Sequence, residues 1–175
     1  MKRKTIALDL DGVIADIDTA ITDYLWYTFG IDNEDYSSWL ISDTKDENAL
    51  KLFSDKLFWK NIKPFEDAWY QVNKWFSDDI DVHIVTARRS EASVSMTEPW
   101  LDGWGINTLI PTFAKINKKH EVISKIDPIF VVEDNPYEVI SLRDHGINCY
   151  LRKAWYNKPF WNEVPCIETL YDLEI

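Results

Sequence analysis

The chain has 175 residues, of which 46% are hydrophobic and 14% aromatic, a composition that excludes a disordered chain and suits one domain burying about two-thirds of its unfolded surface. Its formal net charge of −11 excludes the basic footprint that grips nucleic-acid phosphates, although a bound divalent cation can reverse the field locally for a phosphorylated small molecule. Cys149 and Cys166 stand without a CxxC, which fits a reducing cytoplasm, no apolar run approaches the ~20 residues of a membrane span, and "MKRKTIALDLDG" gains acids too soon for a signal peptide.

The first predicted element is "TIALDL", a short buried strand that runs into "DLDG". Residues from Ile14 to Phe76 read differently. They are mostly helical in pattern, with Ile17, Ile21, Tyr24 and Leu25 on one stripe, and they hold five of the nine tryptophans (Trp26, Trp39, Trp59, Trp69 and Trp75). Roughly 60 residues separate this strand from the next, far more than one crossover helix needs. The stretch is therefore expected to be a small helical cap inserted after strand one, the alternative being an extended helical layer.

"VHIVT" is the second strand and "NTLIPTF" a weaker third. "KKHEVISKI" has helical spacing, and "IFVVED" is a strong fourth strand. "YEVISLRDHG" is a helix closed by glycine, and "NCYLR" a fifth strand. Strands alternating with helices imply right-handed crossovers. The expected fold class is thus α/β: a Rossmann-like parallel sheet with helices on both faces, residues 1–13 and 77–175 forming the core and 14–76 the cap.

In such a sheet, ligands bind beyond the carboxyl ends of the strands. Asp9 and Asp11 follow strand one, Thr86 ends strand two, and Glu133 and Asp134 end strand four. Each has an ordinary reading alone: "DLDG" and "EDNP" are turn sequences, and "VTAR" leads into a helix cap. Their joint placement on one edge of one sheet is what points to chemistry. An EF-hand is excluded, because its loop needs glycine at position six and "DLDGVIAD" has it at position four.

"DLDGV", "VTA", a lysine before a helix and "VVEDNP" resemble, in order, the four motifs of the haloacid dehalogenase-like (HAD) phosphohydrolases. A true dehalogenase would not ordinarily carry the acid at Asp11. The stretch "LFWKNIKPFEDAWYQVNKWFSDDIDVHIVTA" is similar to the pyrimidine 5'(3')-deoxyribonucleotidases, with two departures: Ile17 stands where an aromatic is expected, and "TAR" replaces a Thr-Ser pair.

The resemblance implies a phosphomonoesterase with Asp9 as nucleophile, passing through an aspartyl-phosphate, and Asp11 as the acid and then the base. It implies Thr86 on a phosphoryl oxygen, and Mg²⁺ held by Asp9, the Asp11 carbonyl and Asp134, with Glu133 as runner-up. It also asks for a lysine. Lys119, Val122, Ile123 and Ile126 form one stripe facing the sheet, which favours Lys119 over Lys118, with Asn117 as N-cap.

Ala87, Arg88, Phe58 and Trp59 are substrate-binding candidates, the rings because flat faces suit a nucleobase, as Trp39 could too. Arg88 and Arg89 are expected either to touch the substrate phosphate or to cap the following helix on its solvent side. The expected partner is a nucleoside monophosphate or another small phosphorylated metabolite, with no membrane and no stable nucleic-acid partner. The oligomeric state is not readable, and a homodimer stays open. The competing class is a non-catalytic binding module that kept the fold.

Overall fold

A computed structural model describes residues 3–30 and 47–175. Trp39 lies outside the described residues. Among the described residues six strands form one parallel sheet: β1 (Thr5–Leu8), β2 (Asp81–Thr86), β3 (Thr112–Phe113), β4 (Val131–Glu133), β5 (Cys149–Arg152) and β6 (Cys166–Ile167), in the order β3-β2-β1-β4-β5-β6. Their registers pair Leu8 with both Ile84 and Val132. β1 is therefore central, and all four of its residues are buried, as a strand covered on both faces requires. The expected α/β architecture with helices on both faces is what the structure shows.

Among the described residues seven α-helices accompany the strands: α1 (Ile17–Phe29), α2 (Glu47–Ser54), α3 (Lys56–Asn61), α4 (Glu66–Ser77), α5 (Glu91–Trp104), α6 (Lys119–Ile126) and α7 (Pro136–Asp144). Alternation along the strands divides the core. Ile6, Leu8, Val82, Ile84 and Val132 pack with Val72 and Trp75 of α4 and with Trp100 and Leu101 of α5. Ala7, Val85, Val131 and Leu151 pack with Ile123 of α6 and with Val139 and Leu142 of α7. Each fully buried Leu, Ile or Val contributes about 1.5–3 kcal/mol relative to exposure.

Two elements differ from the sequence reading. The third strand is only Thr112–Phe113, and a sixth, Cys166–Ile167, joins β5. Asn117 does not cap α6. It has φ +59 and its N–H donates to Glu138 Oε1, while Lys118 takes the cap position without a side-chain bond. Asn117 thus lies one residue before the cap, in the left-handed region and not in the extended backbone of an N-cap.

The excursion after β1 begins and ends at one stem. Asp16 N–H donates to Lys63 O at 2.8 Å, and Phe65 N–H to Ile14 O at 2.9 Å. Asp16 then caps α1 through Thr19 N–H, and Asp55 caps α3 through Leu57 N–H. α2 and α3 lie on α5, where Ser90 Oγ donates to Phe53 O at 2.9 Å. α4, by contrast, packs on the sheet: Trp75 meets the Phe130 ring edge-on at 5.9 Å, and Asp67 pairs with Arg152 of β5.

Candidate active site

The chain leaves β1 through a turn that only glycine allows. Gly12 has φ +77, and a Cβ there would overlap Asp134 Oδ2 and stand 2.8 Å from Tyr156 OH. The sharp turn and the missing side chain let Asp134, at the end of β4, come up against the β1 loop. The result is a convergence: Asp9, Glu133 and Asp134 each offer an oxygen, all within 4.8 Å of one another.

Lys119 reaches this cluster from the first turn of α6. It is 2% exposed, its Nζ stands 2.8 Å from Asp9 Oδ1, and it donates to Glu133 Oε1. Lys118 instead pairs with Glu121 on the surface. Glu133 Oε2 accepts from the N–H groups of Asp134 (2.9 Å) and Asn135 (3.0 Å). Asp9 Oδ1 is buried, and among the described residues it meets the Lys119 ammonium with no further hydrogen bond, so the oxygen keeps an open acceptor site.

Burial, helped by the charge of Glu133 and opposed by Lys119, pushes Asp9 up to about 7. Burial also pushes Asp134 well above the carboxylate range, with Glu133 and Asp9 adding to it. Lys119 is pulled down by burial but more strongly raised by Asp9 and Glu133, so it stays charged. Three carboxylates against one ammonium leave two negative charges when all ionise. Hard oxygens, an open buried acceptor and that excess charge together fit a divalent cation such as Mg²⁺.

A second layer holds Asp134. Tyr156, in the 3₁₀ turn Trp155–Phe160, donates to Asp134 Oδ2 at 2.6 Å, and Asn157 Nδ2 donates to Asp134 O at 2.9 Å. Trp155 Nε1 ties the same turn to Asp18 of α1 at 2.5 Å. Glu138, 2% exposed, completes the α7 side, with no hydrogen bond to Oε2 among the described residues.

A cleft of about 470 Å³ opens over these groups, lined among others by Thr86, Ala87, Arg88 and Arg89 from β2 onward and by Ile17, Ile21, Phe53 and Trp59 from the helices above. Thr86 is buried, and its Oγ1 accepts the Arg88 N–H at 3.2 Å. Asp11 faces the cleft, but its carboxylate is held by Arg88: Nε to Oδ2 at 2.8 Å and Nη2 to Oδ1 at 2.6 Å. Phe58 does not line the cleft. It is buried edge-on between Tyr24 and Trp59. Trp59 is 4% exposed, with the Arg88 guanidinium 4.6 Å from its ring centroid.

The sequence reading brought Asp9, Thr86, Lys119 and Asp134 to this edge. It missed the Arg88–Asp11 fork, Tyr156, Asn157 and Glu138. Asp11 and Arg88 stand 77 residues apart and no local pattern joins them; the "NP" of "EDNP", read only as a turn, is the signal that could have put Glu138 in the first turn of α7.

No protein-family model matches the sequence, and no curated protein matches it. Solved structures do match over the whole chain. The haloacid dehalogenase-like hydrolase SP0104 from Streptococcus pneumoniae has a TM-score of 0.61 at 12% identity, over 97% of this chain and 96% of its own. The HAD-hydrolase YfnB from Bacillus subtilis, bound to magnesium, has 0.66 at 14%, over 98% and 97%. The D,D-heptose 1,7-bisphosphate phosphatase from Burkholderia thailandensis has 0.59 at 12%, over 96% and 94%. The chain thus has the fold shared by haloacid dehalogenase-like hydrolases. Among the described residues no helix is long and apolar enough to cross a membrane.

Proposed function

We propose that the protein is a Mg²⁺-dependent phosphomonoesterase acting on small phosphorylated molecules, nucleoside monophosphates first among them. The carrying observation is the meeting of Asp9, Glu133, Asp134 and Lys119 at the carboxyl ends of β1 and β4, beside Thr86 of β2. Similar folds include a phosphatase and a magnesium-bound hydrolase, which supports the reading.

Asp9 and Asp134, with the Asp11 backbone carbonyl, would hold the cation, and Glu133 would orient Lys119 and the Asp134 backbone. A bound Mg²⁺ would supply Lewis-acid polarisation and charge neutralisation at the phosphoryl oxygens. Asp9 attacks phosphorus: the new P–O bond forms as the ester P–O bond breaks, and Asp11 gives its proton to the departing oxygen. Asp11 then takes a proton from water, whose oxygen bonds phosphorus as the Asp9–phosphorus bond breaks. Inorganic phosphate and the Asp9 carboxylate are returned. Lys119 offsets the charge of the nucleophile, and Thr86 donates its hydroxyl to a phosphoryl oxygen.

The cap is best drawn at its stem, as residues 17–62, with α4 serving the core as the crossover helix. Its apolar wall of Ile17, Ile21, Phe53 and Trp59 sits where a base or sugar would lie. A sugar phosphate or similar metabolite is the second reading, favoured because Phe58 is packed away from the cleft and Trp59 is almost wholly buried. Neither reading needs a second subunit.

Hydrolysis of p-nitrophenyl phosphate with Mg²⁺ and with chelator, in the native protein and Asp9→Asn, tests the activity. Metal-dependent turnover lost by more than about a thousandfold in the variant is expected. Absence of turnover in the native protein would leave the binding-module class instead. A panel of 5'- and 3'-mononucleotides against sugar phosphates then decides the substrate, and equal feeble rates would defeat the nucleotidase reading alone.

A further inference from the structure

The Arg88 side chain is 1% exposed, yet it lines the open cleft. Its guanidinium is fixed on two sides: Nη1 donates to Thr97 Oγ1 at 3.2 Å, and its face lies on the Trp59 ring. The residue's backbone N–H is anchored on Thr86 Oγ1. The remaining edge, where Nε and Nη2 point, is filled by a single group, the Asp11 carboxylate. Asp11 is the exposed and yielding member at 22%, and no other hydrogen bond to its side chain is seen among the described residues.

A rigid guanidinium fork with two parallel donors recognises two geometries equally well: a carboxylate and a phosphate edge. The fork opens beside Thr86 and within the same cleft as Asp9 and Lys119, where the phosphoryl group would sit. Asp11 cannot reach a leaving oxygen while both of its oxygens face Arg88. The two roles conflict only if Asp11 stays, and among the described residues Arg88 alone hydrogen-bonds its carboxylate.

We propose that Arg88 is a receptor for the anionic oxygens of the substrate's phosphoryl group, on which the Asp11 carboxylate sits as an internal stand-in until substrate displaces it. Displacement fills the buried fork with the phosphoryl oxygens, so Arg88 stays paired, and frees the Asp11 carboxylate into the cleft, where it takes a proton from water before it gives one to the departing oxygen. The cap takes part through Trp59, which holds the guanidinium from behind. This inference rests on the phosphatase reading of the cleft and deepens it.

A binding experiment without turnover tests it. Inorganic phosphate is titrated calorimetrically into the native protein, Asp11→Asn, Arg88→Gln and the double variant, with circular dichroism reporting folding. Asp11→Asn is expected to bind phosphate about tenfold more tightly than the native protein, because the competing carboxylate is gone. Arg88→Gln is expected to weaken binding by a similar factor, and the Asp11→Asn gain is expected to vanish in the Arg88→Gln background. Arg88→Lys, which keeps the charge and loses the fork, is expected to recover only part.

A gain from Asp11→Asn that persists without Arg88 would overturn the proposal, since it would report general charge relief. So would unchanged binding in Arg88→Gln. Should Arg88→Gln fail to fold, Arg88→Lys carries the same decision. Failure here with intact p-nitrophenyl phosphate hydrolysis would sink the exchange alone, whereas phosphate exchange in a protein that hydrolyses nothing would sink the phosphatase reading.

Discussion

Among the described residues two arginine–aspartate forks are built on buried guanidiniums, and they serve different ends. In the first, Arg152 of β5 grips Asp67 of α4 at 2.7 and 2.8 Å. Asp67 Oδ2 also accepts the Leu170 N–H at 2.8 Å, Arg152 also donates to Val13 O at 3.2 Å, and the guanidinium lies 4.1 Å from the Phe65 ring centroid. Both partners are tied to backbone from separate elements. In the second, Arg88 is held as firmly, but Asp11 is held by Arg88 alone and faces the cleft. The same pair of residues makes a fixed joint where both members have other partners, and an exchangeable contact where one has none.

The largest expected effect separates the two on stability. Asp67→Asn leaves Arg152 buried without its counter-charge and is expected to cost about 3–5 kcal/mol, whereas Asp11→Asn is expected to cost about 1 kcal/mol, because water or an anion can reach Arg88 through the cleft. Urea unfolding measures both. Equal losses would erase the distinction. On activity the order reverses. Asp11→Asn is expected to lower kcat for p-nitrophenyl phosphate by about 10²–10⁴-fold, while Asp67→Asn, assayed well below its unfolding midpoint, is expected to leave kcat nearly unchanged.

A third aspartate extends the comparison. Tyr156 positions Asp134 by one hydrogen bond, so Tyr156→Phe is expected to weaken Mg²⁺ binding by about 10–100-fold in calorimetry with little change in melting temperature of the metal-free protein. An unchanged affinity would mean that the Asn157 contact and the backbone suffice.

The smallest effects are in pH, and their signs differ between the two regions. Burial alone would raise Asp67, but the hydrogen bonds from Arg152 and Leu170 outweigh it and hold the carboxyl below its ordinary 3.8. Its contribution to stability is present above 3.8 and lost as pH falls through the lower folded value, so Asp67→Asn is expected to flatten the acid limb of melting temperature against pH. Asp9, raised by burial to about 7, behaves oppositely. Its contribution is full below 3.8 and lost as pH rises through about 7. Asp9→Asn is therefore expected to raise the melting temperature of the metal-free protein near pH 8, by on the order of 3 °C.

What could be read from the amino-acid order follows the reach of each signal. β1 was legible because a central parallel strand runs apolar from Ile6 to Leu8, and Lys119 because helical spacing puts it on the stripe of Ile123. The acids were legible together, since strand ends in one sheet share an edge. β6 was not, because two residues in "VPCIET" carry no period and pair only through β5. Asn117 misled because its type suits a cap while its backbone is left-handed and the cap position falls one residue later, on Lys118. The Arg88 fork and Tyr156 depend on contacts 77 and 22 residues distant, set by the sheet order and not by any neighbouring residue.

The most direct measurement of the central claim is calorimetric titration of Mg²⁺ into the native protein and Asp134→Asn near neutral pH. The account predicts one Mg²⁺ per chain in the native protein and binding lost or greatly weakened in the variant, both remaining folded. Binding that is unchanged by Asp134→Asn, or no binding to the native protein at all, would contradict a cation held between the ends of β1 and β4.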